Sequence, residues 1–250
     1  MATSGTYTDQ LTNLQIISAA LRKVNRLGDH ETLGDTDTRY TNSLIALKLI
    51  LKEFATSGMP LWAVEEATIA FSNFTTASGI TIGLSGQTVT QVAPLKIVGA
   101  FRRDSVTATD PVDTPMTVYE QDTYNTIPNK STTGTPNFYT YYPDGAGSAN
   151  AATGTLKVWP LPDTYWTTNG SIVIRYQRPM QDAGTSAQNI EFPQEWHRAV
   201  VYALAYDIAP EYGLDINQRD RLMRDRDMIV AQAHSFGTEE GSFFFQPKKR

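Results

Sequence analysis

The stretch FPQEWHRAVVYALAYDIAPEYG, residues 192–213, decides how the rest of the chain is interpreted. Pro193 suits the first position of a helix, and Glu195 suits the positive end of its dipole. Pro210 and Gly213 then end the helix. Apolar residues recur on one face at helical spacing: Trp196, Ala199, Val200, Ala203, Leu204 and Ile208. The pattern predicts a core helix late in the chain.

Two helices are predicted before it and one after it. The first covers about 8–27 and has an apolar stripe of Leu14, Ile17, Leu21 and Val24, with Gly28 as the C′ residue. The last covers about 215–236, and its inward face is predicted to be Leu222, Met223, Ile229, Val230 and Ala233. Its outer face, RDRLMRDRD (219–227), alternates in charge, which favours a solvated or subunit-facing surface.

The second helix, about 37–57, is apolar on more than one face. Leu44, Leu47, Leu51 and Phe54 form a stripe, whereas Ile45, Leu49 and Ile50 lie off it. Such a helix must be buried from several sides. Two interpretations stay open: a central core helix, or burial against a neighbouring subunit. Our candidates for a subunit interface are Ile45, Leu49, Ile50, Arg221, Arg224 and Asp225.

The middle of the chain, 60–180, changes to short runs of β-prone residues separated by turn residues. Strands are predicted at 63–72, 81–84, 88–92 and 95–103, and a hairpin is predicted from 156–159 and 171–179 around PLPDTYWTTNG. The stretch 121–155, rich in Thr, Asn, Gly and Tyr, is predicted to be a long excursion from a small sheet.

These elements predict an α+β fold with a four-helix core, an inserted small antiparallel β-domain and an extended C-terminal arm. The expected boundaries are an N-terminal helical pair (1–58), the β-domain (59–190), a C-terminal helical pair (191–240) and the arm (241–250). The arm, GSFFFQPKKR, is unusual because three consecutive phenylalanines precede a basic tip. The sequence alone does not say what these phenylalanines pack against.

Composition narrows the function. The 250 residues carry a formal net charge of −5, which argues against a dedicated nucleic-acid binder, and the absence of cysteine removes disulfides and thiolate sites. No signal-like start and no membrane-length apolar run are found, so we expect a soluble protein made inside the cell.

The sequence offers no convincing catalytic or metal site. Asp29, His30, Glu31, Asp35 and Asp37 cluster in one connection, but their register does not fit an EF-hand loop, so we expect capping residues and no metal. The chain has no H-E-x-x-H motif, P-loop or dinucleotide fingerprint. Glu65 and Glu66 are neighbours on a strand, so they face opposite ways and make a poor catalytic pair. We predict no enzyme activity and no cofactor.

Four arginines follow or flank predicted strands: Arg102, Arg103, Arg175 and Arg178. They could form a basic patch around Tyr176. Because the chain is acidic overall, we favour ordinary pairing with nearby acids.

Three segments together resemble a known family: GMPLWAVEEATIAF (58–71), KVWPLPDTYW with IVIRYQRP (157–166 and 172–179), and EFPQEWHRAVVYALAYDIAPEYG (191–213). With the order of elements, they resemble the head-to-tail adaptors of short-tailed bacteriophages, also called tail accessory factors or packaged-DNA stabilisation proteins.

The resemblance implies a virion protein at the head–tail interface, in a dodecameric ring beneath the portal protein ring. Its helices would line the channel, and its β-domain would face outward or toward the next tail component, the tail nozzle or another tail protein. Genomic DNA would pass without sequence-specific binding, and no membrane is involved. The portal-docking arm would comprise Phe243, Phe244, Phe245, Gln246, Pro247, Lys248, Lys249 and Arg250.

Three alternatives stay open. The arm folds back over its own helices, or the protein is a monomeric surface- or receptor-binding module that uses NFYTYYPDG (137–145), or it is a virion-associated cell-wall hydrolase.

Overall fold

The structure, a computed structural model, describes residues 10–56, 63–84, 86–106, 111–146 and 152–236. These residues form an α+β fold with six α-helices and several antiparallel sheets. The chain divides after residues 61 and 179 into two compact units. The helical unit combines both ends of the chain, and the β unit holds the middle.

Four helices belong to the helical unit: α1 (Asn13–Lys23), α2 (Thr38–Thr56), α5 (Gln194–Ile208) and α6 (Ile216–Phe236). All four were predicted, but α1 is shorter than expected. It starts after Thr12, which forms a capping box with Gln15: the Gln15 backbone N–H donates to Thr12 Oγ1 at 3.3 Å and the Thr12 N–H donates to Gln15 Oε1 at 2.9 Å. It ends well before Gly28, because Asn25 takes the left-handed conformation with φ 57°.

Helix α5 is the most buried of these helices and contacts α1, α2 and α6. It begins at Gln194, so Pro193 is the N-cap and not the first helical residue, because Pro193 has an extended ψ of 152°. At its start, the rings of Phe54, Phe192 and Trp196 meet at centroid distances of 5.7–6.2 Å. This aromatic cluster ties α2 to the segment that opens α5.

Helix α6 buries Leu222, Ile229 and Ala233 as predicted. Met223 was also predicted to face inward, but 37% of its surface is exposed. Position 223 follows the buried Leu222 directly and is turned about 100° from it, toward the outer face.

The β unit contains two larger sheets and a two-stranded one. Their orders are β1–β11–β4–β5, β3–β2–β9–β8–β6 and β10–β7. The strands are β1 (Val64–Ala70), β2 (Ile80–Gly83), β3 (Val89–Thr90), β4 (Lys96–Asp104), β5 (Val112–Pro115), β6 (Thr117–Val118), β7 (Thr133–Gly134), β8 (Phe138–Ala146), β9 (Ala152–Trp159), β10 (Leu161–Pro162) and β11 (Gly170–Gln177). Two short helices, α3 (Gln121–Asn125) and α4 (Thr164–Asn169), and a 3₁₀ turn (Phe71–Asn73) join them.

Both larger sheets contribute to one apolar core. Ile69, Ile172 and Ile174 come from the four-stranded sheet, whereas Ile82 and Leu156 come from the five-stranded sheet. All are 2% exposed or less. Apolar side chains from one face of each of these two sheets therefore form a shared interior.

The predicted hairpin of 156–159 with 171–179 is wrong. Strand β9 pairs with β2 and β8, whereas β11 pairs with β1 and β4 in the other sheet. The intervening PLPDTYWTTNG forms the short strand β10 and then helix α4. The Asp163 side chain caps α4 by accepting from the Trp166 N–H at 3.1 Å. A helix at this point carries the chain from one sheet to the other.

The prediction of a long excursion over 121–155 is also wrong in part. Strand β8 lies inside this range and pairs along its length with β9. Tyr139 and Thr140 of β8 are buried, at 4% and 1% exposure. The Tyr- and Thr-rich composition was interpreted as a loop, but β-prone tyrosines here build the sheet itself.

Candidate functional site

Two apolar residues of α2 face outward. Ile45 is 62% exposed and Leu49 is 66% exposed, although the helix buries Leu47 and Leu51 almost completely. Residues four apart lie above one another on a helix, so Ile45 and Leu49 form one exposed apolar turn. The interpretation of α2 as a helix buried on every face within the chain is therefore wrong for these two positions.

The third off-stripe residue of α2 has a different environment. Ile50 is 5% exposed and lies at the base of a groove between α2, α5 and α6. The structure therefore separates the predicted set: Ile45 and Leu49 are accessible, and Ile50 is part of the packing between helices.

The groove at Ile50 has a volume of about 240 Å³. Its apolar lining comprises Ile50, Phe54, Ala203 and Val230, and its polar lining comprises Glu53, Tyr206, Asp207, Arg226, Asp227 and His234. The guanidinium of Arg226 lies 4.4 Å above the Tyr206 ring and donates to Asp227 Oδ1 at 2.7 Å. Sequence reasoning missed this groove, because its lining comes from three helices that lie far apart in the sequence.

The predicted charged residues of α6 lie three and four positions apart, on one side of the helix. Arg221 and Asp225 line a second cleft of about 250 Å³, together with Lys23, Asn25 and Tyr202. Arg224 is exposed and is not part of that lining. Among the described residues of α6, Arg226 forms an ion pair with Asp227.

Two cations lie against the ring of Tyr202, which lines this second cleft. The Lys23 Nζ lies 3.9 Å from the Tyr202 ring centroid, and the Arg198 guanidinium lies 5.6 Å from it. The hydrogen bond from Lys23 is the main cause that lowers the pKa of Tyr202 below its ordinary value. Positive charge therefore gathers on this side of α5 in a chain that is acidic overall.

In the β unit, three of the four arginines pair with acids. Arg103 Nη2 lies 2.8 Å from Asp113, Arg178 Nε lies 2.7 Å from Glu65, and Arg175 Nε lies 3.5 Å from Glu66. The favoured interpretation of ordinary pairing is confirmed for these three. The two glutamates thus serve separate ion pairs.

The fourth arginine, Arg102, has no acid at ion-pair distance among the described residues. It donates to the Pro136 carbonyl at 3.1 Å and lies 5.3 Å from the Trp166 ring. Its contacts therefore join β4 to neighbouring segments of the β unit.

The acidic connection between α1 and α2 is organised by Arg39. Its Nη2 lies 2.5 Å from Glu31 and 2.7 Å from Asp37, and its Nη1 donates to the Arg26 carbonyl at 2.8 Å. Hydrogen bonds from Arg39 hold the pKa of Glu31 and of Asp37 below their ordinary values. In the part of the chain that the structure describes, no group of three or more His, Cys, Asp or Glu side chains could hold a metal ion.

Within the tyrosine-rich segment 137–145, residues 139–143 line a cleft of about 330 Å³ in the β unit, together with Tyr119 and Leu95. Several of its rings have structural partners. Tyr141 donates to the Pro94 carbonyl at 2.7 Å, and Phe138 stacks on Tyr119 at a centroid distance of 4.2 Å. These contacts explain most of the aromatic residues without an external ligand.

The predicted docking arm, Phe243 to Arg250, lies outside the described residues. None of the helices within the described ranges is long and apolar enough to cross a membrane.

A family model described as SU10 adaptor protein matches residues 11–235, which is nearly the whole chain. No curated protein matches the chain. The matched range includes both the helical unit and the β unit and stops just before the segment that follows α6.

Proposed function

The chain belongs to the SU10 adaptor protein family of phage structural adaptors, and on that premise we propose that it forms a dodecameric ring connecting the portal to the tail. In this role the ring continues the DNA channel, and the protein resides in the virion at the head–tail interface. Its partners are the portal ring above and the tail nozzle or another tail protein below.

The exposed turn of Ile45 and Leu49 is the observation that best supports assembly. Leaving such residues in water is unfavourable, and burying each one fully stabilises a contact by about 1.5–3 kcal/mol. In a ring, each subunit offers one surface to the next copy and a different surface to the previous copy. We propose that the Ile45–Leu49 turn is one of these surfaces and that Arg221, Arg224 and Asp225 contribute to contacts between copies.

The portal contact is assigned to the arm. Burial of Phe243, Phe244 and Phe245 contributes about 1.5–3 kcal/mol each, whereas ordering the backbone costs about 1–2 kcal/mol per residue. The two contributions nearly cancel for one arm. Around a ring, however, every later attachment is effectively intramolecular, and avidity makes the whole assembly stable. Lys248, Lys249 and Arg250 then add specificity against an acidic portal surface.

The family supports a role without catalysis, because it is one of structural adaptors. The proposed ring needs no cofactor, and genomic DNA passes through it without sequence-specific contacts. The net charge of −5 per chain favours passage, since like charge repels the phosphates.

The test is native mass spectrometry of the chain mixed with the purified portal ring of the same phage. The full-length chain is compared with a chain truncated after Glu240 and with Leu49→Glu. We expect one chain bound per portal subunit, loss of binding on truncation, and incomplete rings for Leu49→Glu. Binding that survives truncation would move the portal contact to the helices. An absence of binding in every form would favour a surface-binding module.

A further inference from the structure

The groove between α2, α5 and α6 is lined by both apolar and charged side chains. Ile50 and Phe54 form part of its apolar lining, at 5% and 9% exposure, and Val230 is half-buried. We propose that, in the free chain, residues 241–250 of the same molecule lie in this groove, with a phenylalanine of Phe243–Phe245 on the apolar lining.

Charge complementarity supports this occupant. Three carboxylates line the groove, those of Glu53, Asp207 and Asp227. Asp227 is paired with Arg226, so the carboxylates of Glu53 and Asp207 give the groove an excess of negative charge. The segment offers the matching order of groups: three phenylalanines for the apolar lining, followed closely by Lys248, Lys249 and Arg250 for the acids.

The volume of the groove limits how much of the segment it can hold. About 240 Å³ accommodates one or two aromatic rings rather than all three. The bound state is therefore a shallow, reversible contact. The contact has to be reversible, because the same segment is also proposed to bind the portal.

The segment can reach the groove without strain. Helix α6 ends at Phe236, and His234 in its last turn already lines the groove. Six residues lie between Phe236 and Phe243, and the seven steps from one to the other span up to about 24 Å when extended. Along α6, Val230 lies only about 9 Å back from Phe236. The chain therefore needs only to reverse direction after α6 to bring its aromatic residues over Val230 and Ile50.

This inference goes beyond the proposed ring, because it concerns the chain before assembly. A segment held in the groove is withdrawn from solvent and from other partners. Any partner that binds residues 241–250 must first displace them, so binding would be slowed in free chains and favoured where many copies are concentrated. The groove thus acts as an intramolecular competitor for the same segment.

Cysteine cross-linking in the full-length chain tests the proposal, because the sequence has no cysteine of its own. The test variant carries Val230→Cys with Phe244→Cys. The matched control carries Met228→Cys with Phe244→Cys, since Met228 is on the same helix, is 55% exposed and does not line the groove. Both variants are oxidised as dilute monomers without portal, and disulfide formation is followed by gel mobility and mass.

We expect the Val230 pair to close within one chain roughly tenfold faster than the Met228 pair, because a bound segment has a higher effective concentration than a free tether. Adding Glu53→Lys and Asp207→Lys to the test variant should slow closure severalfold. Equal rates for the two pairs would overturn the proposal. Disulfides formed only between two chains would also overturn it and would assign the groove to a neighbouring copy. Since portal is absent, the outcome is independent of whether the proposed portal contact exists.

Discussion

The ring of Tyr141 on β8 occupies the space beside Gly154 on β9 that any larger side chain would need. A Cβ atom built on Gly154 would come within 2.6 Å of Tyr141 Cε2, closer than Cβ atoms approach in real proteins. The Tyr141 hydroxyl is held by its bond to the Pro94 carbonyl at 2.7 Å, so the ring has little freedom to move. Glycine at 154 is therefore required by Tyr141 and not by backbone conformation.

Gly154→Ala should destabilise the β unit by about 1–3 kcal/mol, because the methyl group displaces the Tyr141 ring and strains its hydrogen bond. The measurement is urea unfolding followed by circular dichroism. Gly99→Ala is the matched control, since a Cβ on this other strand glycine would meet nothing within 4 Å. The double variant Gly154→Ala with Tyr141→Leu should lose less than the sum of its single variants. Equal losses for Gly154→Ala and Gly99→Ala would show that the contact is not restrictive.

The four long helices could be predicted from sequence because their signal is local. Apolar residues three and four apart, with caps nearby, located α2, α5 and α6 to within a few residues. The end of α1 was misplaced because Asn25, rather than Gly28, takes the left-handed conformation. A local sequence pattern cannot tell which of two such residues ends the helix.

Strand pairing could not be predicted in the same way. Strands β9 and β11 are close in sequence and both look like hairpin arms, yet each pairs with strands from elsewhere in the chain. Partner choice depends on which apolar faces meet in the core, and that information is spread over the whole β unit. The position of Asp163 before Trp166 was the one local signal of a helix between them.

The candidate site was predicted only in part for the same reason. Periodicity identified Ile45, Leu49 and Ile50 as lying off the main stripe of α2, but it could not tell which of them α5 and α6 would cover. The groove between α2, α5 and α6 could not be predicted from the sequence, because it forms only when these three helices pack together.

Leu49→Glu should leave the isolated chain folded but weaken contacts between copies more than about tenfold per contact, because the proposed interface would have to bury a charge where it buried Leu49. The unfolding free energy of the monomer should change by less than about 0.5 kcal/mol, since Leu49 is 66% exposed. Ring formation on the portal is measured by native mass spectrometry and negative-stain microscopy.

Val112→Glu is the control for this experiment, because Val112 is an equally exposed aliphatic residue, at 63%, in the β unit. The Val112→Glu chain should form rings on the portal as the natural chain does. If both variants assemble like the natural chain, the exposed turn of α2 is not a subunit contact.

Asp163→Ala should cost about 1 kcal/mol of stability, the usual loss when the side chain that caps a helix is removed. The Asp163 carboxylate accepts from the Trp166 N–H, and Trp166 in turn packs edge-on against Phe71 with ring centroids 6.0 Å apart. Loss of the cap should therefore also loosen Trp166, which near-UV circular dichroism can detect. Asp163→Asn keeps an acceptor and should retain most of the stability. A loss in Asp163→Asn as large as in Asp163→Ala would point to charge and not to capping.

Arg39→Gln should raise the pKa of both Glu31 and Asp37 toward their ordinary values. Hydrogen bonds from Arg39 are the largest cause of the lowered pKa of each carboxyl. A carboxyl whose pKa is lowered on folding stabilises the folded chain above its unfolded pKa, and this contribution is lost as the pH falls through the folded pKa. The stability advantage of the natural chain over Arg39→Gln should therefore be largest near neutral pH and shrink in acid.

The pKa values are measured by NMR titration of the side-chain carboxyl carbons, and the stability difference by thermal unfolding at several pH values. Lys48→Gln is the control, since Lys48 is an exposed cation on the same helix but is not a cause of either shift. It should leave both carboxyl titrations unchanged. If Arg39→Gln also leaves them unchanged, the close contacts of Arg39 do not persist in solution. The connection between α1 and α2 would then need another explanation for its order.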